Sequence, residues 1–335
     1  MLVSHHLKPI FRVTLDGQDI SSRLSPRLML LSITETRADE ADQLDITLSD
    51  ADGLLAIPTR EVKIKVAIGF EHTGLVDKGE FNIDEVEYRG APDTITIKGR
   101  SAELDGPLRT RTERSFHNKT VADIVKTIAK ANNLEPIIDR YAGTKKIDHI
   151  DQTNESDITF LNRLGKRFDV VVTVKEGKLL FIPTHGGKKA DGTKMPTLSL
   201  DKTDGDNYSF IQVSRDSYTG VTAFWMEPRK SKRNKVVYGA IGNAKQLRET
   251  FANEKDALEA AKAEYQRLKR GQSLMRFDMA VGNPVLSPQY IVQFPRMKQP
   301  INEIEWLVKS VTHKLDESGL TTSLELELVG DEEDS

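Results

Sequence analysis

The sequence predicts a β-rich α+β fold, and three observations carry that expectation. Apolar and polar residues alternate with period two towards both ends of the chain. Between these strand regions, Ser115 to Pro183 reads as helix, polar segment, helix and hairpin. One long helical pattern, from Asn253 to Arg270, interrupts the second strand region.

In chain order, Phe11–Leu15, Leu44–Leu48, Val62–Ile68 and Thr94–Lys98 alternate cleanly. Strands of that kind have one buried and one wet face, as in an antiparallel barrel or sandwich. Asp16-Gly17, Asp52-Gly53 and Gly90 to Asp93 mark turns between them. Arg100 to Arg114 mixes charges around Gly106-Pro107 and offers little to bury, which places a domain boundary there.

The central stretch opens with Thr120 as N-cap and Asp123 completing an approximate capping box. Val121, Ile124, Val125 and Ile128 form its apolar stripe, and Pro136 stops the helix before it passes Leu134. Asp148 to Asp157 is almost wholly polar and reads as a connection. A second helix starts near Ser156, with Ile158, Leu161 and Leu164 inward and Gly165 near its end. Asp169–Val174 and Lys178–Ile182 then flank a turn in which Gly177 supplies a positive φ.

Further on, His185 to Gly192 reads as a flexible loop and Arg229 to Lys235 as a basic loop. Period two resumes at Thr197–Leu200, Phe210–Val213 and Tyr218–Trp225. Asn253 caps the long helix, whose inner face is read as Leu258, Ala261, Tyr265 and Leu268, and Gly271 ends it. Tyr290–Phe294, Trp306–Val308 and Thr321–Leu328 are the last strands, before an acidic tail expected to fray, Asp331 to Ser335. The hairpins around Phe81–Ile97 and Trp306–Leu328 share an apolar-x-x-Val step, a faint repeat that any two hairpins could show.

Composition narrows the function classes. A net charge of −3 gives no overall pull towards nucleic acid or membrane. The absence of cysteine excludes disulfides, thiolate catalysis and Cys-ligated zinc. No run approaches the roughly 18 apolar residues of a membrane span, and the first residues lack a signal-peptide core. A soluble protein not exported by a standard signal is expected.

No catalytic constellation is legible. Ser199-Leu200-Asp201-Lys202 matches Ser-x-x-Lys but lies in strand and loop sequence, without companion motifs. Asp201, Asp204 and Asp206 miss the spacing of a calcium loop and read as a solvated turn. Apart from His5-His6, none of the seven histidines sits at ligand spacing. His149 reads as a hydrogen-bonding residue of the polar connection. Asn154, Glu155, Ser156 and Asp157 read as side chains that cap a helix and tie down a loop. The expectation is a non-enzyme with no metal and no cofactor.

Two segments carry a family resemblance. They are Arg114–Val125 and Gln152–Leu164, the latter followed by the hairpin ending Gly177-Lys178-Leu179-Leu180-Phe181. Together they resemble the late control protein D family, the hubs of contractile phage tails, which is similar to the hub portion of type VI secretion spikes. The motif residues are Gln152, Asn154, Glu155, Ser156, Asp157, Phe160 and Leu161.

The resemblance implies two tube-like antiparallel β-barrel domains, 1–105 and 196–330, with an α/β domain at 106–195 between them. A helical insertion is expected at about 238–275 and an acidic tail at 331–335. It further implies a baseplate hub of a phage or phage-tail-like bacteriocin, assembled as a homotrimeric, pseudo-six-fold ring joining tail tube to central spike. Implied partners are the spike, the tail tube and other baseplate proteins, with no sequence-specific nucleic acid and no stable membrane insertion. Synthesis in the bacterial host cytoplasm and residence in the virion tail baseplate follow. A type VI or extracellular injection hub is the alternative, disfavoured because no spike repeats follow Leu328. A tail-associated cell-wall hydrolase is a further alternative, for which no leftover segment remains.

Overall fold

The computed structural model describes residues 7–37, 41–58, 62–101, 106–175, 177–184, 193, 195–212, 218–227 and 232–330. The loop expected at His185 to Gly192, the cations Arg229 and Lys230 and the tail from Asp331 to Ser335 lie outside the described residues.

The first region holds β1 (Pro9–Leu15), β2 (Gln18–Asp19), a short α1 (Ser21–Leu24), β3 (Leu28–Thr36), β4 (Gln43–Ser49), β5 (Lys63–Phe70), β6 (Gly74–Arg89) and β7 (Thr94–Ser101). Alternation places Leu44, Ile46 and Leu48 of β4 inward, with Ile95 and Ile97 on the neighbouring β7 and Val66 and Ile68 on β5 in the same core. The turns fall where expected, with Asp16, Gly17 and Gly53 at positive φ. The alternating segments underlie four strands. β3 was not legible, because Leu28-Met29-Leu30-Leu31 is a continuous apolar run without alternation.

The central region holds β8 (Arg111–Thr120), α2 (Val121–Ala131), β9 (Glu135–Ile138), α3 (Arg140–Gly143), β10 (Lys146–Ser156), α4 (Asp157–Phe168), β11 (Val170–Lys175) and β12 (Lys178–Pro183). The α2 capping box forms, with Thr120 and Asp123 each accepting the other's backbone N–H. Its stripe of Val121, Ile124, Val125 and Ile128 is fully buried. The β11–β12 hairpin turns on Gly177 at φ 72°.

One expectation fails here. Asp148 to Asp157 is not a connection: most of it belongs to β10, which pairs antiparallel with β8 in a two-stranded ribbon. The ribbon's exposed face is polar, so period-two hydrophobicity never appears. Gly165 lies in the last turn of α4, near its end as expected, and the helix stops at Asp169, which adopts the left-handed conformation at φ 53°. Gly165 also lets α4 approach the hairpin: an added Cβ would sit 2.9 Å from the Val170 carbonyl oxygen.

The last region holds β13 (Thr197–Ser199), β14 (Gly205–Gln212), β15 (Gly220–Glu227), β16 (Lys232–Gly239), β17 (Ala244–Phe251), α5 (Glu254–Arg270), β18 (Ser273–Met279), β19 (Ile291–Gln293), β20 (Trp306–Asp316) and β21 (Gly319–Leu328). Lys232 to Lys235, expected in a loop, form the start of β16. Asn253 caps α5 by accepting from Asp256 N. Of the expected inner face, Ala261 is buried and Tyr265 and Leu268 pack against the same core, but Leu258 is 40% exposed and Ala257 and Ala260 are buried instead. Small side chains there let α5 settle closely on β15.

One thirteen-stranded sheet joins both strand regions, in the order β14-β18-β21-β20-β3-β4-β7-β6-β5-β1-β2, with β13 and β19 branching from β20. The junction is the antiparallel β3–β20 pair, with Thr34 opposite Thr312. The likened hairpins, β6–β7 and β20–β21, lie on opposite sides of β3–β4. Two cores rest on this sheet. One contains Val13, Leu31, Ile46 and Phe81, the other Phe277, Phe294, Trp306 and Leu324. β20 and β21 feed both, giving Leu315 and Leu320 to the first and Val308, Val311, Leu324 and Leu326 to the second.

Candidate functional site

The motif residues meet where the β8–β10 ribbon runs into α4. Ser156 caps the helix, accepting from Thr159 N at 3.3 Å. Asn154, at φ 49°, sits in the register shift between Gln152 and Glu155. That irregularity allows Gln152 to bury while Asn154 stays exposed.

Asp157 is the keystone. Its Oδ1 accepts from Gln152 Nε2 at 2.8 Å, Thr112 Oγ1 at 3.4 Å and the Arg114 guanidinium; its Oδ2 accepts from Asn132 Nδ2 at 2.8 Å. Burial works against the charge, yet hydrogen bonds from Gln152, Asn132 and Arg114 prevail and hold the carboxyl below the usual range. One carboxylate thus ties β8, β10, α2 and α4 together. Phe160 and Leu161 are fully buried, and Phe160 stacks on Phe116 at 5.6 Å between ring centres. In the structure these side chains cap a helix and tether a ribbon.

Glu155 lies at the surface, joined to Arg163 at 2.5 Å. With Asn154, Arg109 and Arg111 it lines a cleft of about 480 Å³. Asn162 and Thr159 also line a second groove of about 650 Å³ between α4, β17 and α5, flanked by Arg163, Lys166, Arg248 and Arg267. Neither has the apolar, enclosed character of a small-molecule site.

Two further charge clusters lock the regions together. Arg270 of α5 grips Asp169 bidentately at 2.5 and 2.6 Å and reaches Glu327 of β21 at 3.3 Å; Arg37 meets the same Glu327 oxygen at 2.5 Å. Beside the β3–β20 seam, Lys78 Nζ donates to Glu35 at 2.7 Å and lies 3.0 Å from His313 Nε2. Burial raises Glu35, but hydrogen bonds from His313 and Lys78 outweigh it and bring the carboxyl down to about 2. Burial lowers both Lys78 and His313, and His313 Nδ1 lies 2.9 Å from Thr322 Oγ1.

The candidate chemistry from sequence stays dispersed. Ser199 is on β13, Lys202 in the following turn, and Asp201 and Asp204 cap each other's backbone. Among the described residues no three His, Asp or Glu side chains converge as a metal-binding group, and no helix is long and apolar enough to cross a membrane. What sequence spacing missed is a histidine pair. His117 and His149 face each other directly across β8 and β10. Only recognising β10 as a strand would have shown it.

The chain is sheet-dominated, and known proteins share this architecture. A tail protein from Neisseria meningitidis MC58 has the same fold: TM-score 0.71 at 13% identity, over 96% of both chains. The phage tail baseplate hub (GPD) family profile matches residues 42–319. The chain is 38% identical to the probable baseplate hub protein of Escherichia phage P2 (96% of this chain, 94% of that one). It is 37% identical to that of Escherichia phage 186 (96% and 93%). The chain belongs to the phage tail baseplate hub family, and its place is in the virion tail.

Proposed function

We propose that this hub assembles as a homotrimeric ring that joins the tail tube to the central spike, and that it acts mechanically, without catalysis. The observation that carries this reading is the pair of sheet edges. The strand path begins at β14 in one strand region and ends at β2 in the other. Each edge offers backbone donors and acceptors to a neighbouring chain. Tyr208 and Ile211 on β14 and Leu274 on β18 are exposed beside one of them, an apolar margin suited to burial between subunits. Two strand regions in each of three chains supply six wall segments, which matches a six-fold tube on one face and a three-fold spike on the other. Tube, spike and other baseplate proteins are the partners, and the chain is made in the host cytoplasm before incorporation.

Native mass spectrometry with negative-stain imaging tests this. A trimer with a central opening, alone or once a cognate spike is added, is the expected result. A monomer that ignores the spike overturns it. Hydrolysis of purified peptidoglycan, abolished by replacing one carboxylate, overturns the non-catalytic part.

A further inference from the structure

We propose that His117 and His149 form an open, two-imidazole site for a divalent late transition-metal ion, with Asp151 as its supporting carboxylate. The two residues are direct cross-strand partners on the ribbon, and their rings lie 4.5 Å apart, inclined at 25°. Their Nδ1 atoms are 3.0 Å apart. Two nitrogens at that distance repel unless something positive sits between them, and in the metal-free chain one shared proton serves.

The supporting carboxylate fixes which nitrogen is available. His149 Nε2 lies 3.0 Å from Asp151 Oδ2, and Asp151 Oδ1 accepts from Ser115 Oγ at 2.6 Å. Donation from Nε2 to Asp151 leaves Nδ1 of His149 with its lone pair, directed at His117. A carboxylate behind the far nitrogen is the usual support of a metal-bound histidine: it sets the tautomer and raises basicity. His313, by contrast, spends both nitrogens inside the protein, on Lys78, Thr322 and Leu286.

Geometry suggests the metal class. With metal–nitrogen bonds of about 2.0–2.1 Å, nitrogens 3.0 Å apart subtend an angle of about 95°. That suits neighbouring positions of a tetragonal or octahedral ion. A tetrahedral angle needs the nitrogens about 0.4 Å further apart. Imidazole pairs favour Cu²⁺ and Ni²⁺ over the lighter ions of the series. His149 is 52% exposed and His117 is exposed as well, so small ring rotations can turn both lone pairs onto one point, and water fills the remaining positions.

The test uses the full-length hub with His5→Ala and His6→Ala, which removes the adjacent terminal pair, stripped with chelator and titrated with CuCl₂, NiCl₂ and ZnCl₂. The expected result is one Cu²⁺ per chain with electron-paramagnetic-resonance splitting from two nitrogens, and weaker Zn²⁺ binding. His117→Ala and His149→Ala each abolish the two-nitrogen signature, and Asp151→Asn weakens binding about 10–100-fold. Circular dichroism should be unchanged, since all three side chains are exposed. No saturable binding, or a two-nitrogen signal that survives His117→Ala, overturns the site. Unchanged affinity in Asp151→Asn overturns the role given to the carboxylate.

Discussion

The two cores on the long sheet are built differently. The first is a lattice of strand-borne aliphatics, Ile33, Leu44, Ile46, Ile64, Val66, Ile68, Ile83, Ile95 and Ile97, with Phe70 and Phe81 as its buried rings. The second gathers Trp306, Phe277, Phe294, Met275, Met279 and Met297, and takes Leu286, Met297 and Ile301 from outside its strands. A lattice of similar residues shares its burial among many positions. A core of few large rings, filled in by flexible methionines, concentrates it.

Deleting a ring should therefore cost the second core more than trimming a methyl costs the first. Trp306 is fully buried, and its Nε1 donates to the Ile301 carbonyl, pinning the irregular segment. Trp306→Ala should remove about 3–5 kcal/mol in urea unfolding and expose 280–304 to protease first. An equal loss of protection in both regions would erase the contrast.

Acid should act next, at the seam between the cores. Glu35 stays ionised in the folded chain to about pH 2, against an ordinary value of 4.5. Its contribution is thus complete above pH 4.5 and lost as pH falls towards 2, about 3 kcal/mol in all. His313 is held neutral in the fold, so stability also begins to fall below its ordinary 6.5, where only the unfolded chain takes the proton. Glu35→Gln should flatten the lower limb of a stability–pH curve; an unchanged limb would remove the seam from the account.

Ile46→Val should cost only about 1 kcal/mol by thermal unfolding, the smaller effect that the lattice predicts. A loss as large as that from Trp306→Ala would equalise the cores. Smallest of all, Leu258→Ala on the exposed side of α5 should shift stability by less than about 0.5 kcal/mol. A cost of about 2 kcal/mol would restore the inner face that sequence periodicity suggested.

That order also follows what the sequence makes legible. Ile46 and Ile97 announce themselves because their strands are wet on one face, and period two records it. Val121 to Ile128 do the same at helical period. Met297 and Ile301 cannot be placed from pattern, since no regular period connects them to Trp306. In β10 the partners are polar, so only its resemblance to a known motif marked Gln152 and Asp157. Even then their donors Thr112, Arg114 and Asn132 were out of view, because hydrogen bonds between distant segments leave no local trace. Leu258 misled for a related reason: hydrophobicity alone favours leucine over alanine, but close helix–sheet contact favours the smaller side chain.

The β3–β20 pair sets a schedule for making this protein. Thr36 pairs with Ser310, so 274 residues separate the partners along the chain. At about 5–20 residues per second, a ribosome needs roughly 15–55 s to deliver β20 after β3 has emerged. Throughout that interval one edge of β3 has no strand to meet, and an open edge invites pairing with other nascent chains. The first core also waits for Leu315 and Leu320. Slow or stalled translation between residues 36 and 310 should therefore lower the yield of native hub without any change in its sequence.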